Sequence, residues 1–243
     1  MEKEKIKNWA NRAREIFFPD AYTCEVCGKE VFDGRSFCPD CARRLPYNDN
    51  TICTKCGRAI RESYPVCVEC KADMPLYTAA RSAFRYEGDV VNLIKKFKTG
   101  ARYLARPFAK YMAQTVNAFY GSADFMVSVP MTKKEFKRRG YNQSDLLAKA
   151  LSPLSGIPYR AELLQKTRGT AVQKFLNRKA RAQNLIGSFH VRERKMCEGK
   201  TVLLVDDVLT TGATASAVAR ALFSAHAARV LIVTVASVPF REE

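Results

Sequence analysis

The sequence is poor in long apolar stretches, in histidine and in acidic residues. None of its apolar runs approaches the ~20 residues that a bilayer span requires. ARVLIVTVASVPF, residues 228–240, is too short and reads as a buried strand. The opening stretch MEKEKIKNWANRAREIFF is charged and lacks the apolar block of a secretory signal, so a cytoplasmic protein is expected. Only two histidines occur, His190 and His226, each beside apolar residues with no partner at ligand spacing, and neither is assigned a role. Acidic residues number 24 against 41 Lys and Arg, a formal net charge of +17.

That imbalance is uneven. Residues 1–78 hold 13 basic against 12 acidic residues, whereas residues 79–243 hold 28 against 12. A basic surface of that size favours polyanions such as nucleic acid, nucleotides or pyrophosphates. The competing reading is a solvated surface kept soluble by repulsion. At 243 residues the chain can hold one large domain and one small one.

Eight of nine cysteines form four Cys-x-x-Cys pairs: Cys24/Cys27, Cys38/Cys41, Cys53/Cys56 and Cys67/Cys70. CEVC…CPDC and CTKC…CVEC are one module written twice. Two residues between thiolates let both face one ion from a tight turn, and two such knuckles complete a tetrahedral Cys₄ zinc site. Gly28 and Gly57 follow the first knuckle of each copy, where the turn needs them. A disulfide framework is the alternative, disfavoured by the missing signal and the even spacing. Spacing leaves sequential and interleaved pairing open; sequential pairing is expected. Closed Cys₄ sites are structural, with metal binding standing in for the core that so short a segment cannot bury. Cys197 has no partner and reads as a plain loop residue.

The expected division is an amphipathic helix over residues 1–19, the double ribbon over 20–76, with Pro75 just past the last knuckle, and a larger domain over 77–243. In the last, ARSAFRYEG reads as a strand, residues 89–119 as two helices broken at Gly100, and ADFMVSVPM as a strand. NQSDLLAKALSPLSG reads as a helix ending near Gly156, and TVLLVDDVL and ARVLIVTVASVPF as strands around the helix TASAVARALFSAHA. Continuous β-branched runs separated by helices indicate an α/β fold with a parallel sheet covered on both faces.

In such sheets ligands bind beyond the C-terminal strand ends, where VDDVLTTGAT, residues 205–214, falls. A strand end, a glycine-bearing loop and a helix start bring several N–H groups to one point, and Thr210, Thr211 and Thr214 add hydroxyls. That is a phosphate cup. Asp206 and Asp207 precede it, as acceptors for vicinal hydroxyls or as metal-directed groups, so phosphate and diol together suggest a ribose 5-phosphate. The pattern lacks the lysine of G-x-x-x-x-G-K-[ST] and the three glycines of G-x-G-x-x-G. A purely structural turn is the bland alternative, but adjacent carboxylates at a strand end are costly without partners.

VLLVDDVLTTGAT resembles the phosphoribosyl pyrophosphate (PRPP) motif of type I phosphoribosyltransferases. With VPMTKKEFKRRGYNQSDLLAKAL, KTRGTAVQKFLNRKARAQNLIGSF and the paired Cys-x-x-Cys region, the chain is similar to the ComF family of competence-associated proteins over residues 20 to about 238. The resemblance implies a Rossmann-like type I phosphoribosyltransferase fold preceded by a small zinc-ribbon domain. It implies Asp206 and Asp207 on the ribose hydroxyls, as the catalytic pair, with Mg²⁺ on diol and pyrophosphate. Thr210, Thr211, Gly212, Ala213 and Thr214 would hold the 5-phosphate. Pro130, Met131 and Thr132 fall at the family's pyrophosphate loop, and Arg139 would add charge there, with Asn142 and Gln143 opening the next helix. Residues Arg168 to Gln173 fall at a closing loop, Arg168 also reaching pyrophosphate. Lys98, Arg178, Arg181 and Asn184 match family positions without an assigned role.

The implied activity is transfer of phosphoribosyl from PRPP to an acceptor with release of pyrophosphate. The implied setting is competence, in the handling of imported single-stranded DNA. The acceptor is not named by any residue of the variable hood, expected over residues 79–105 and the C-terminal edge. A different class of reading is a non-catalytic factor that binds single-stranded DNA or a competence-machinery protein, its PRPP site regulatory or vestigial. Few aromatic residues interleave the basic runs, so base stacking is not evident from the sequence.

Overall fold

The computed structural model describes residues 23–32, 35–48, 51–60, 65–166, 185 and 187–239. By its contacts the chain forms two compact units, Met1–Leu45 and Pro46–Glu243. The expected helix over residues 1–19 lies outside the described residues.

The two cysteine modules repeat one backbone pattern. In the first, Gly28 N donates to Cys24 O at 2.8 Å, Cys24 N to Lys29 O at 2.7 Å and Glu25 N to Ser36 O at 3.0 Å. In the second, Gly57 N donates to Cys53 O at 2.8 Å, Cys53 N to Arg58 O at 2.9 Å and Thr54 N to Pro65 O at 2.8 Å. Gly28 and Gly57 take φ of +74° and +67°, the left-handed turn that glycine adopts without penalty. Each second knuckle runs into a short helix, α1 (Pro39–Arg44) and α2 (Val68–Ala72). The first module lies in the unit Met1–Leu45. The second is part of Pro46–Glu243, with the sheet, so the compact units divide the repeat itself and not the chain near Pro75.

The second unit continues with β1 (Ala79–Arg85), α3 (Gly88–Lys98), a 3₁₀ turn Arg102–Leu104, α4 (Ala105–Phe119) and β2 (Phe125–Ser128). Then come α5 (Lys133–Arg139), α6 (Gln143–Ser155), β3 (Leu164–Lys166), β4 (Phe189–Val191), a 3₁₀ turn Arg194–Cys197, β5 (Thr201–Leu209), α7 (Ala213–Ser224) and β6 (Arg229–Ser237). Four strands form a parallel sheet in the order β1-β6-β5-β2, and β3 and β4 pair antiparallel.

The expected parallel sheet is present, and its core alternates with the pleat. Val202 and Leu204 of β5 and Val230 and Ile232 of β6 join a cluster with Val218, Ala219 and Leu222 of α7 and Phe189 of β4. The intervening Leu203, Val205, Leu231 and Val233 are also buried, and α4 and α6 pack on each other and against the sheet. Both faces are therefore covered, which is why these strands are apolar throughout. Cys197 differs from the loop residue expected: it ends a 3₁₀ turn inside the α7-side cluster, fully buried, and burial pushes its thiol pKa up. Among the described residues no helix is long and apolar enough to cross a membrane.

Candidate functional site

β5 is buried from Val202 to Val205 and half-buried at Asp206, where the apolar run ends. Asp206 Oδ1 accepts from Ser144 Oγ at 2.8 Å and from the Asp207 amide at 2.9 Å. Asn142 caps α6, its Oδ1 accepting from Ser144 N at 3.0 Å while its Nδ2 donates to Val129 O at 3.0 Å. The start of α6 is thus tied to the end of β2 and presents Ser144 to the carboxylate. Burial, reinforced by the neighbouring Asp207 charge, raises the Asp206 pKa to about 7.

Asp207 finds its partner on α3. Lys98, the last residue of that helix, places Nζ 3.2 Å from Asp207 Oδ2. The chain after Lys98 is pinned by buried Tyr141, whose hydroxyl donates to Phe97 O and accepts from Gly100 N at 3.1 Å. The Arg102 guanidinium lies 4.6 Å from the Tyr141 ring centroid.

After β5 the chain turns through Thr210, Thr211 and Gly212. Gly212 is the N-cap of α7 at φ +78°, and no side chain of the cap residue occupies the first-turn amides. Thr211 Oγ1 accepts from Ala213 N at 3.3 Å. A Cβ on Gly212 would lie 3.2 Å from the Tyr77 hydroxyl, so both the φ and the close approach demand glycine. The first-turn amides of α7, the helix dipole and the threonine hydroxyls are donors of the kind that a phosphate dianion takes. Ala213 and Thr214 form its first turn.

The two cysteine tetrads are sequential: Cys24, Cys27, Cys38 and Cys41 form one cluster, and Cys53, Cys56, Cys67 and Cys70 the other, the sulfurs of each lying within 4.8 Å of one another. The sulfurs gather in fours and not in bonded pairs, Cys27 Sγ lying 3.8 Å from Cys38 Sγ and Cys56 Sγ 3.7 Å from Cys67 Sγ, an arrangement of metal ligands and not of a disulfide framework. The donor set fits zinc. In the second tetrad Cys53 Sγ accepts from the amides of Cys56 at 3.5 Å and Cys67 at 3.3 Å, bonds that stabilise a thiolate. A hydrogen bond from Cys56 leads these in holding the Cys53 thiol down at about 4, while Cys56 is pushed up by the same contact.

Residues 13–78 match the double zinc ribbon domain and residues 136–243 the phosphoribosyl transferase domain. Competence protein ComFC of Bacillus subtilis is 28% identical over 153 residues, covering 62% of this chain and 60% of that protein. The DNA utilization protein YhgH of Salmonella typhi is 30% identical over 215 residues, covering 86% of this chain and 87% of that protein. The chain belongs to the ComF family. The YhgH protein of Escherichia coli K12 is 39% identical over 109 residues, but that match spans 45% of this ComF-family chain and only 47% of its relative.

The remaining expected site residues of this ComF-family chain stand as follows. Pro130 and Met131 are half-buried on the turn after β2. Thr132 is buried and committed to a capping box: its amide donates to Glu135 Oε2 at 2.8 Å and its hydroxyl accepts from Glu135 N at 3.2 Å. Burial works against ionisation of Glu135, but the Thr132 amide and Lys166, 3.0 Å from Oε1, outweigh it and lower its pKa. Arg139 is exposed and donates from Nη1 to Gln143 Oε1 at 3.2 Å. Arg168, Gln173, Arg178, Arg181 and Asn184 lie outside the described residues. Sequence reasoning missed Ser144, Tyr77 and Arg58. Ser144 had a local signal, its place directly after Asn142–Gln143 at a helix start. The other two are brought to the site by tertiary packing alone.

Proposed function

We propose that the chain binds PRPP with Mg²⁺ at the end of β5 and transfers its phosphoribosyl group to an acceptor, releasing pyrophosphate. The observation that carries this reading is the adjacency of the Asp206–Asp207 pair, partnered by Ser144 and Lys98, to the N-terminus of α7 behind its glycine N-cap, Gly212. Hydroxyl acceptors and a phosphate receptor then lie on one strand-loop-helix unit, as a ribose 5-phosphate needs.

In the reaction the C1–oxygen bond breaks, pyrophosphate leaves with the bonding pair, and a nucleophile, a nitrogen in the simplest case, bonds to C1 and loses its proton. Positive charge grows on the ribose ring and negative charge on the leaving group. Asp206 and Asp207 supply carboxylate oxygens of the kind that would hold Mg²⁺ with the diol and diphosphate, and the ion would supply charge neutralisation of the leaving group. The chain's part is positioning: α7 amides and Thr210, Thr211 and Thr214 fix the 5-phosphate, and the aspartates orient the diol and lie beside the developing ring charge. Lys98 holds Asp207 until the ligand arrives. The test is pyrophosphate release from PRPP on offering nucleobases, amines and single-stranded DNA as acceptors. Turnover lost in Asp206→Asn/Asp207→Asn supports the reading; turnover undiminished in that variant rejects it.

A second reading has its own observation. On α5, Lys133, Lys134, Lys137, Arg138 and Arg139 are exposed, and Phe136 among them is 51% exposed. A bare aromatic ring in a basic helix is a stacking platform for single strands. Relatives named for DNA utilization and competence give a setting, the handling of imported DNA. Binding of single-stranded DNA through this helix should weaken with salt, by a log–log slope of about −0.7 per phosphate contact. A salt-independent affinity speaks against it.

A further inference from the structure

The two cysteine modules diverge at the residue after the first-knuckle glycine. In the first copy it is Lys29, exposed to solvent. In the second it is Arg58, 6% exposed. The Arg58 guanidinium reaches out of its module in two directions. Nη1 pairs with Glu69 on α2, between the two cysteines of the last knuckle, and Nη2 donates to the backbone carbonyl of Thr210. Thr210 opens the TTGAT loop.

This link is not isolated. The second module is bound to the start of β1 by Ala80 N on Lys55 O at 2.8 Å and Arg81 Nη1 on Thr54 O at 2.9 Å. Asn48 Nδ2 donates to Gly57 O at 2.6 Å. Between module and strand lies Tyr77, 1% exposed, whose ring backs Gly212. The phosphate loop is therefore braced from the ribbon side at two points, Thr210 by Arg58 and Gly212 by Tyr77.

We propose that Arg58 is a positioning residue for the Thr210–Thr214 loop, transmitting closure of the Cys53–Cys70 site to the shape of the phosphate receptor. The physical case is direct. A carbonyl anchored on the ribbon side turns the following amides toward the ligand. A planar, always-charged guanidinium presents separate N–H groups to Glu69 and Thr210 in a fixed fork, whereas a lysine offers one ammonium on a flexible stem. Metal at the second tetrad and phosphate at the loop are then coupled, and coupling is reciprocal: ligand on the loop raises the metal affinity of that tetrad.

That the loop takes a ribose phosphate rests on the function proposed above; that Arg58 shapes it does not, and the experiment separates the two. Amide hydrogen exchange is measured on the zinc-loaded full chain, wild type against Arg58→Lys and Arg58→Ala, in the peptide covering residues 208–214, with zinc stoichiometry and PRPP affinity beside it. Loss of one charged hydrogen bond should speed exchange there by about tenfold and weaken PRPP binding by a similar factor. Two zinc ions should stay bound in Arg58→Lys. Loop exchange at the wild-type rate in Arg58→Lys, with both ions retained, overturns the proposal, whatever Arg58→Ala does. If the wild type binds no PRPP, the ribose-phosphate reading falls and loop exchange still decides the role of Arg58.

Discussion

Lys98 Nζ sits 3.2 Å from Asp207 Oδ2, joining the end of α3 to the C-terminal half of the interior strand β5. Among the described residues Asp206 forms no ion pair within 4.0 Å; its Oδ1 is held by Ser144 and the Asp207 amide. The two carboxylates thus differ in environment, one paired with a charge and one kept in hydrogen bonds.

The first prediction is a pH dependence. Burial, then the Asp207 charge, raises the Asp206 pKa from 3.8 to about 7 in the folded chain. A folded-state pKa above the unfolded one means that the ionised carboxylate costs stability above about 7, and that this cost is relieved as pH falls toward 4. Ligand-free protein should therefore gain stability from this group between pH 7 and pH 4. PRPP binding, if it needs the ionised form, should weaken over the same interval with proton release on binding. Calorimetry in buffers of different ionisation enthalpy reads that proton directly, and Asp206→Asn should abolish it.

Lys98→Met is the second. Lys98 opposes the rise in the Asp206 pKa, so its removal should move the midpoint of that pH dependence upward. An unchanged midpoint would mean that Lys98 and the aspartates are neighbours without energetic consequence.

Third, the repeat offers an internal control for backbone strain. Gly28 and Gly57 share position and positive φ, but a Cβ at Gly28 meets nothing within 4 Å, while one at Gly57 lies 2.2 Å from Ala80 O. Gly28→Ala should cost about 1 kcal/mol, the left-handed penalty alone. Gly57→Ala should cost about 3 kcal/mol or more, because the second module must separate from β1. Denaturant midpoints of the zinc-loaded proteins give both numbers.

The same asymmetry applies to the metal sites. Cys38→Ser should release one zinc ion and leave the melting of Pro46–Glu243 within a few degrees of wild type. Cys67→Ser should release the other and lower that transition by far more than the few degrees of an ordinary substitution, since a structural zinc site contributes about 10–16 kcal/mol of binding free energy in isolated fingers. Equal effects on this transition would contradict the division of the repeat between two units.

Much of this was readable in the chain. The cysteine spacing carried the tetrads, the apolar β-branched runs carried the parallel sheet, and VDDVLTTGAT carried the strand end, glycine turn and helix start, because each depends on residues near one another in sequence. What lay beyond reading depends on long-range packing. Arg58 looks like one cation among 41 until the fold sets it against Thr210, and Tyr77 like a linker residue until it backs Gly212. The order of the tetrads was open because spacing permits two pairings; the backbone pattern repeated in both modules selects one. Phe136 was passed over among lysines, since exposure of a helical aromatic is a property of its surroundings.

The central claim is that the end of β5 and the start of α7 form one ribose-phosphate site. It is tested most directly by calorimetric titration of the zinc-loaded chain with PRPP and Mg²⁺, beside Asp206→Asn/Asp207→Asn. The account predicts saturable 1:1 binding by the wild type, weakened at least about a hundredfold in the double variant, the loss of two charge-assisted hydrogen-bonding groups. Absence of binding by the wild type, or equal binding by both proteins, would contradict it.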